Sequence, residues 1–86
     1  MLTTPIIPVA VYPATANQLA IRSITLGPPP SYYFQLQAVD AEGNVTVLKD
    51  GNVSMTQEQW AAWPADADDD KVQLDAISAN LGLTRA

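Results

Sequence analysis

The acidic run ahead of the C-terminal region is the densest group of side chains that could bind a cation. Asp66, Asp68 and Asp70 alternate as the first three ligands of a calcium-binding loop do. The pattern then stops, because the sixth position is Lys71 instead of Gly and the twelfth is Ile77 instead of Glu. An Asp at a helix N-terminus caps free amides and favours the positive end of the helix dipole. The run therefore predicts a helix start, with an irregular cation site as the alternative.

Three aromatic residues could meet a ligand or a partner. Trp60 and Trp63 lie three residues apart, on one face of a short predicted helix, where a stacking site for a ligand is possible. Tryptophans in that position are more often core or interface anchors. Tyr33 falls on the polar face of a predicted strand and is the aromatic residue expected to meet a partner. We therefore predict Trp60, Trp63 and Tyr33 as assembly residues and expect no cofactor.

The residue types needed for most catalytic sites are missing from the sequence. The chain has no His and no Cys, which excludes Ser-His-Asp and Cys-His catalysis, disulfides, and a His- or Cys-ligated zinc within one chain. Its four glycines are isolated, so they form no phosphate-binding loop. We predict that the protein is not an enzyme and has no catalytic or metal-binding residue. Sites shared between subunits and built from Asp, Glu, Lys or Tyr remain an alternative.

The charge of the chain argues against two classes of partner. Nine acidic residues face four basic ones, for a net charge of −5. A nucleic-acid interface needs clustered Lys and Arg to neutralise phosphates, and an anionic membrane surface attracts the same residues. No apolar run approaches the roughly 20 residues that span a bilayer. We therefore predict no nucleic-acid partner and no membrane association.

The first 17 residues are apolar but rich in proline. Pro5, Pro8 and Pro13 exclude a helix and argue against a central strand, because proline has no amide to donate. They also interrupt the apolar stretch, and no basic segment precedes it, so we expect no signal peptide. We predict that residues 1–17 are an extended arm laid on the surface of their own domain or of a neighbouring subunit, with a PxxP ligand as the alternative. The arm residues predicted at an assembly interface are Ile6, Ile7, Val9, Val11 and Tyr12.

The middle of the chain predicts strands. Residues 18–26 are apolar with a phase slip between Ile21 and Ile24, which indicates a bulge or burial on both faces. Residues 31–39 alternate, so that Tyr32, Phe34 and Leu36 share one face of a half-buried strand. Residues 45–49 and 52–55 are predicted as two short strands, joined by a two-residue hairpin at positions 50–51.

The C-terminal third predicts two short helices. Thr56 and Gln59 have the spacing of a capping box, and Pro64 ends the first helix. The second helix, about residues 69–80, has a narrow apolar stripe and ends before Gly82. With 86 residues there is room for one small domain. The predicted fold is therefore α+β: an antiparallel β-meander of about four strands and two C-terminal helices in residues 18–86, with the extended arm in residues 1–17.

Residues 34–84 resemble small virion-associated structural proteins of tailed bacteriophages. The shared features are the Glu42-Gly43-Asn44 turn between short strands, the helix entry Met55-Thr56-x-Glu58-x-Trp60, the second tryptophan Trp63, the acidic stretch, and the Leu81-Gly82-Leu83 ending. The resemblance implies a virion component without enzymatic activity.

The resemblance and the apolar arm lead to one functional expectation. We expect an accessory structural protein of a tailed-phage particle, assembled in the bacterial host cytoplasm and located in the virion. Decoration of a repeated capsid surface is favoured, because a lattice offers many copies of one docking site. The expected partners are other virion proteins, capsid or tail subunits, and further copies of the chain. The alternatives are a tail, collar or baseplate accessory protein, and a soluble binding module that uses the acidic run and the tryptophan pair.

Overall fold

A computed structural model describes residues 1–11, 14–25, 29–63 and 68–86. Four strands form one antiparallel sheet in the order β1-β2-β3-β4, and two helices follow it. This confirms the α+β fold with four antiparallel strands and two short C-terminal helices. The strands are β1 (Leu2–Val11), β2 (Ala14–Thr25), β3 (Ser31–Val39) and β4 (Val45–Ser54), and the helices are α1 (Gln57–Ala61) and α2 (Asp69–Asn80).

The separate Pro-rich arm is not confirmed, because its residues form the edge strand β1. Residues 2–5 pair with residues 18–21 of β2, and residues 9–11 pair with residues 14–16. The register shifts between Pro5 and Val9, and Pro8 lies in this irregular stretch. An edge strand forms ladder hydrogen bonds on one side only, so it tolerates prolines that a central strand would exclude. Tyr12 and Pro13 lie outside the described residues.

The C-terminal residues cover part of the outer edge of β1. The amide of Ile7 donates to the carbonyl of Thr84 at 2.8 Å, and the amide of Ala86 donates to the carbonyl of Pro5 at 3.0 Å. Between them Ile6 and Arg85 form an antiparallel bridge. These bonds satisfy backbone groups that an edge strand otherwise leaves open.

The hairpin predicted at positions 50–51 is wrong, because β4 runs without interruption through both residues. Asp50 lies opposite Gln35 and Gly51 lies opposite Phe34 in the β3–β4 ladder. A Cβ atom on Gly51 would lie 3.1 Å from a ring carbon of Phe34. Gly51 therefore leaves room for the Phe34 ring within the strand and does not form a turn. The register of this ladder shifts beside Leu36, and Leu48 is the extra residue on β4.

The other strand patterns agree with the structure. The phase slip predicted in β2 is a register shift between Ser23 and Thr25. In β3, Tyr32, Phe34 and Leu36 are buried, as their alternation predicts. The loop residues 26–28 that follow β2 are outside the described part of the chain.

Helix α2 covers one face of the sheet, and the core lies between them. Leu74 and Ile77 are the buried apolar residues of α2. They belong to one cluster that takes residues from the first three strands and the loop after β4: Ile6, Ala16, Leu19, Ile21, Tyr32, Phe34, Leu36 and Met55. We call this side of the sheet the helix face and the opposite side the open face.

Both helix starts have the predicted caps. Thr56 accepts from the amide of Gln59, whose side chain in turn accepts from the amide of Thr56, which completes the capping box. Asp68 caps α2 by accepting from the amides of Asp70 and Lys71. These bonds satisfy amides that have no partner within the helix.

Candidate assembly surface

A chain of hydrogen bonds crosses the open face of the sheet. Gln18 donates to Gln37 at 2.7 Å, Gln37 to Gln35 at 2.8 Å, and Gln35 to the hydroxyl of Tyr33 at 3.1 Å. The Tyr33 hydroxyl then donates to the carboxylate of Asp50 at 2.7 Å. Every donor points in the same direction, from β2 through β3 to β4. Such chains polarise their members, so the terminal carboxylate orders the whole row.

The tyrosine of this row is also stacked by a cation. The guanidinium carbon of Arg22 lies 5.3 Å from the centre of the Tyr33 ring. Arg22 is directly opposite Tyr33 in the β2–β3 ladder. Predicted as the aromatic that meets a partner, Tyr33 is half-buried and engaged on the open face by Arg22, Gln35 and Asp50. Its role at an interface stays a prediction.

The open face ends in a group of valines near the β3–β4 turn. Val39 is paired with Val45, and Gln37 is paired with Val47, so both β4 valines lie on the open face. Val45 is 52% exposed and Val47 is 48% exposed. Contiguous exposed apolar side chains on a small domain mark contact sites. We call Val39, Val45 and Val47 the valine patch.

The two edges of the sheet differ in how their backbone groups are used. The edge of β1 is partly covered by the C-terminal residues, whereas β4 has a strand neighbour only on its β3 side. On the outer side of β4, the carbonyl of Ser54 accepts from Asn80 at 2.9 Å. From Val45 to Val53 no hydrogen bond to the outer edge is found within the described ranges. An open row of amides and carbonyls is a template for pairing with another strand.

The turn that leads into β4 is held by one carboxylate. Asp40 accepts from the amides of Glu42 and Asn44, each at 2.9 Å, and from the side-chain amide of Asn44. The hydrogen bonds from Asn44 are the main cause that lowers the pKa of Asp40 below its usual range. The turn uses Gly43 with φ of +88°, a conformation that glycine adopts freely. The start of β4 is therefore held in a defined conformation.

The N-terminal residues predicted at an interface have different environments. Ile6 is 2% exposed and belongs to the core of its own chain. Val9 and Val11 are half-buried and pack against that core. Ile7 is 51% exposed, in the irregular stretch of β1. Of the predicted set in β1, Ile7 therefore offers the largest exposed fraction to another chain, while Tyr12 is outside the described residues.

The tryptophan pair lies beside the start of α2. The rings of Trp60 and Trp63 are 5.8 Å apart in an edge-to-face arrangement. Trp63 packs against the core, and its indole donates to the carboxylate of Asp69 at 3.0 Å. Both rings are half-buried, so they have packing contacts and a remaining exposed surface. Their role as interface anchors stays a prediction.

The acidic run is engaged in the local structure of α2. Asp68 is the N-terminal cap, and Asp69 accepts from Trp63. Asp66, the first of the alternating carboxylates, lies outside the described residues, as does Pro64. Among the residues that the structure describes, no group of three or more acidic side chains is arranged to hold a metal ion.

A cavity of about 330 Å³ lies between the start of α2 and the first three strands. Its apolar lining comes from Leu2, Ile21 and Tyr32. Arg22 and Asp70 are also among its lining residues.

Sequence reasoning missed the valine patch and the glutamine row as surface features. The alternation in residues 31–39 already places Gln35 and Gln37 on the same face as Tyr33. The sequence does not reveal that Val45 and Val47 are exposed, because valines in a short strand usually point to a core. In the described part of the chain, neither helix has the length and apolar character needed to cross a membrane.

Comparison of the chain with protein-family models, with curated proteins and with solved structures finds no match.

Proposed function

We propose that this protein is a non-enzymatic structural subunit that works in an assembly of many protein copies. The observation that carries the proposal is the exposed end of β4, where Val45 and Val47 stand on a strand whose outer backbone is open. Edge strands of this kind recruit other chains by adding strands or by covering the apolar side chains. The ordered turn at Asp40 presents this strand in one conformation.

The particle we propose is a tailed-phage virion, with decoration of a repeated capsid surface as the favoured position. The support is the resemblance over residues 34–84, a segment that contains β3, β4, α1 and α2. It therefore includes the strand that carries the open edge. A small contact repeated over a lattice gives high total affinity from weak individual contacts. A position on the tail, collar or baseplate is the alternative.

The test is the amount of this chain in purified particles. Virions from the source phage are banded on a density gradient, and quantitative mass spectrometry compares the chain with the major capsid protein. Heads and tails from the same particles are then separated and measured in the same way. Decoration predicts a fixed ratio to the capsid protein in the head fraction. A chain confined to tails would support the alternative position, and its absence from particles would contradict the virion proposal.

A binding module that uses the acidic run is the second candidate. The Trp63–Asp69 hydrogen bond favours it, because it joins the tryptophan pair to that run and makes tryptophan fluorescence a probe of it. Calcium is titrated into the full chain and into Asp68→Asn, which removes a charge but keeps a good helix cap. A saturable response that Asp68→Asn abolishes would support the module. No response in the wild-type chain would contradict calcium binding.

A further inference from the structure

We infer that residues 84–86 form a strap that opens from β1 while the sheet and α2 stay folded, and that Arg85 is the residue that holds it closed. The closed strap occupies part of the outer edge of β1, so its opening decides whether that part of the edge is uncovered. The inference goes beyond the proposed function, because it concerns a motion within one chain and does not depend on a virion.

The strap is held by few contacts. Two main-chain hydrogen bonds attach it to β1, one from the amide of Ile7 to Thr84 and one from the amide of Ala86 to Pro5. Thr84 and Ala86 are exposed, and the strap adds no residue to the buried core. Burial of apolar surface is the dominant force that holds the parts of a domain together. The strap therefore depends on hydrogen bonds and charge, whose net contribution at an exposed site is small.

The groups that the strap leaves behind on opening keep other partners or can be hydrated. Asp75 keeps its ion pair with Lys71 at 2.8 Å. The carbonyl of Pro5 keeps the hydrogen bond from the hydroxyl of Thr4 at 3.2 Å. Ile7 is 51% exposed, so water can reach its amide when the strap leaves. Opening therefore avoids the cost of leaving a buried polar group without a partner.

The strap begins at a fixed point in the chain. The amide of Gly82 donates to Ala79 and the amide of Leu83 donates to Ser78, and both bonds belong to the end of α2. The side chain of Leu83 packs against the core. These contacts do not involve the strap, so the end of α2 stays formed when the strap opens. The hinge therefore lies directly after Leu83.

Arg85 connects the strap to two elements at once. Its Nε donates to the hydroxyl of Thr4 on β1 at 3.0 Å, and its Nη1 donates to the carboxylate of Asp75 on α2 at 2.6 Å. A guanidinium group has several donors in one rigid plane, so it can hold both acceptors together. The Arg85 side chain is 30% exposed, whereas that of Lys71, the other cation on Asp75, is 68% exposed. Loss of the Arg85 side chain removes both bonds and is expected to shift the strap toward its open state.

Opening uncovers the stretch of β1 where pairing with β2 is interrupted. Within the described residues, the β1–β2 ladder pairs Pro5 and then Val9, and gives no partner for residues 6–8. The strap supplies one there, because Arg85 forms a bridge with Ile6. Ile6 is 2% exposed and stays in the core, so β1 remains attached to the sheet. Uncovered amides and carbonyls on a strand edge are a template for another strand. The closed strap is therefore an autoinhibitory cover of this part of the edge.

The test is native-state hydrogen exchange of the full chain, measured at single amides by NMR. The amide of Ile7 reports on the strap, and the amides of the central strand β3 report on global unfolding. Exchange is followed at low urea concentrations, because urea accelerates exchange through global unfolding and leaves exchange through a small local opening unchanged. The variants are Arg85→Gln and the matched control Lys71→Gln, which removes the other cation from the same carboxylate. Circular dichroism checks that both variants are folded.

We expect the wild-type Ile7 amide to be protected, yet to exchange at least about tenfold faster than the slowest β3 amides and without dependence on urea. Arg85→Gln is expected to accelerate this exchange at least about fivefold, the effect of losing one hydrogen bond. Lys71→Gln is expected to change it by less than about twofold, because its ion pair is exposed and does not touch the strap.

Two results in the wild-type chain would overturn the strap: an Ile7 amide that exchanges in parallel with β3 as urea rises, and an Ile7 amide without any protection. Neither result requires a variant that folds. The role of Arg85 would be overturned by an unchanged exchange rate in Arg85→Gln, or by equal acceleration in Lys71→Gln. These measurements are independent of the amount of the chain in particles, so the strap and the proposed function fail separately.

Discussion

At the scale of single residues, the Tyr33 hydroxyl connects the two halves of the polar row on the open face. It accepts from Gln35 and donates to Asp50 at 2.7 Å. Hydrogen bonds to a charged acceptor are stronger than those between neutral groups. The row therefore depends on this one oxygen to link β3 with the carboxylate on β4.

Replacing Tyr33 with Phe is expected to lower the free energy of unfolding by about 1 kcal/mol, which is the typical net contribution of one hydrogen bond to protein stability. Urea unfolding measures it. Tyr32→Phe is the matched control, because no hydrogen bond of the Tyr32 hydroxyl is found within the described residues. A Tyr33→Phe chain as stable as wild type would show that the row is not coupled to folding.

A second residue-scale feature is the carboxylate of Asp75, which holds two cations. Lys71 donates to it at 2.8 Å and Arg85 at 2.6 Å. These hydrogen bonds lower the pKa of Asp75 below its usual range, and the bond from Lys71 has a larger effect than the bond from Arg85. Arg85 also donates to the hydroxyl of Thr4 at 3.0 Å, so Asp75 helps to hold the C-terminal segment on β1.

The lowered pKa of Asp75 predicts a pH dependence of stability. A carboxyl group with a lower pKa in the folded state stabilises it above the unfolded value of 3.8, and this contribution is lost as pH falls through the folded pKa. Asp75→Asn is expected to cost less than about 1 kcal/mol at pH 7, because the pair is exposed. Urea unfolding should show that the difference in unfolding free energy between Asp75→Asn and wild type disappears when the pH is below the folded-state pKa of Asp75.

The control for this pH series is Glu42→Gln, which removes an exposed carboxylate that accepts no side-chain hydrogen bond among the described residues. It is measured at the same protein concentration as wild type and Asp75→Asn. A difference between wild type and Asp75→Asn that stays constant across acid pH would contradict a role for ionised Asp75.

At the scale of elements, the end of α2 is set by Gly82. Its φ is +73°, and its amide donates to Ala79 at 3.1 Å, while the amide of Leu83 donates to Ser78 at 2.8 Å. This pair of bonds is the Schellman motif, which satisfies the last carbonyls of a helix. It also turns the chain back toward β1, where residues 84–86 pair with the edge.

Gly82→Ala is expected to destabilise the protein by about 1 kcal/mol, because a Cβ atom is unfavourable at positive φ. No heavy atom lies within 4 Å of the added Cβ, so the cost comes from the backbone and not from a clash. Gly82→Asn is the control and should cost less, since asparagine tolerates this conformation. Thermal unfolding of both variants provides the measurement, and equal loss would contradict a backbone origin.

At the scale of the whole molecule, one sheet has one covered face. The helix face is buried by α2, and Ile77 is fully buried at its centre. The open face is covered by its own polar row and by exposed valines. The packing of α2 on the sheet therefore depends mainly on its two buried apolar residues, Leu74 and Ile77. The open face has no helix packed against it among the described residues.

Ile77→Ala is expected to lower the free energy of unfolding by about 2 to 5 kcal/mol, the range for a buried aliphatic truncation. This is a large part of the roughly 5 to 15 kcal/mol of a typical domain. Val47→Ala on the open face should change it by less than about 0.5 kcal/mol. Urea unfolding of dilute protein measures both, and similar effects for the two would contradict a single core under α2.

Local signals predicted much of the fold. The capping box at Thr56, the aspartate cap of α2 and the alternation in β3 each depend on residues a few positions apart, so the sequence shows them directly. The irregularity in β2 was visible for the same reason, as a change of phase within one strand. The candidate site was predictable only in part: Tyr33 was placed on the polar face, but its partners Asp50 and Arg22 come from other strands.

The edges were decided by tertiary structure. Prolines in residues 1–13 are compatible with an arm or with an edge strand, and only pairing with β2 and with residues 84–86 selects the strand. Asp50-Gly51 is a common turn pair, but in the structure both residues pair with β3, and the ring of Phe34 lies against Gly51. The sequence by itself determined the two helices, their N-terminal caps and the face alternation of β3, because these follow from short-range sterics and hydrogen bonds. Which edge is covered and which valines stay exposed depends on contacts between residues distant in the chain, and that was decided only when the sheet assembled.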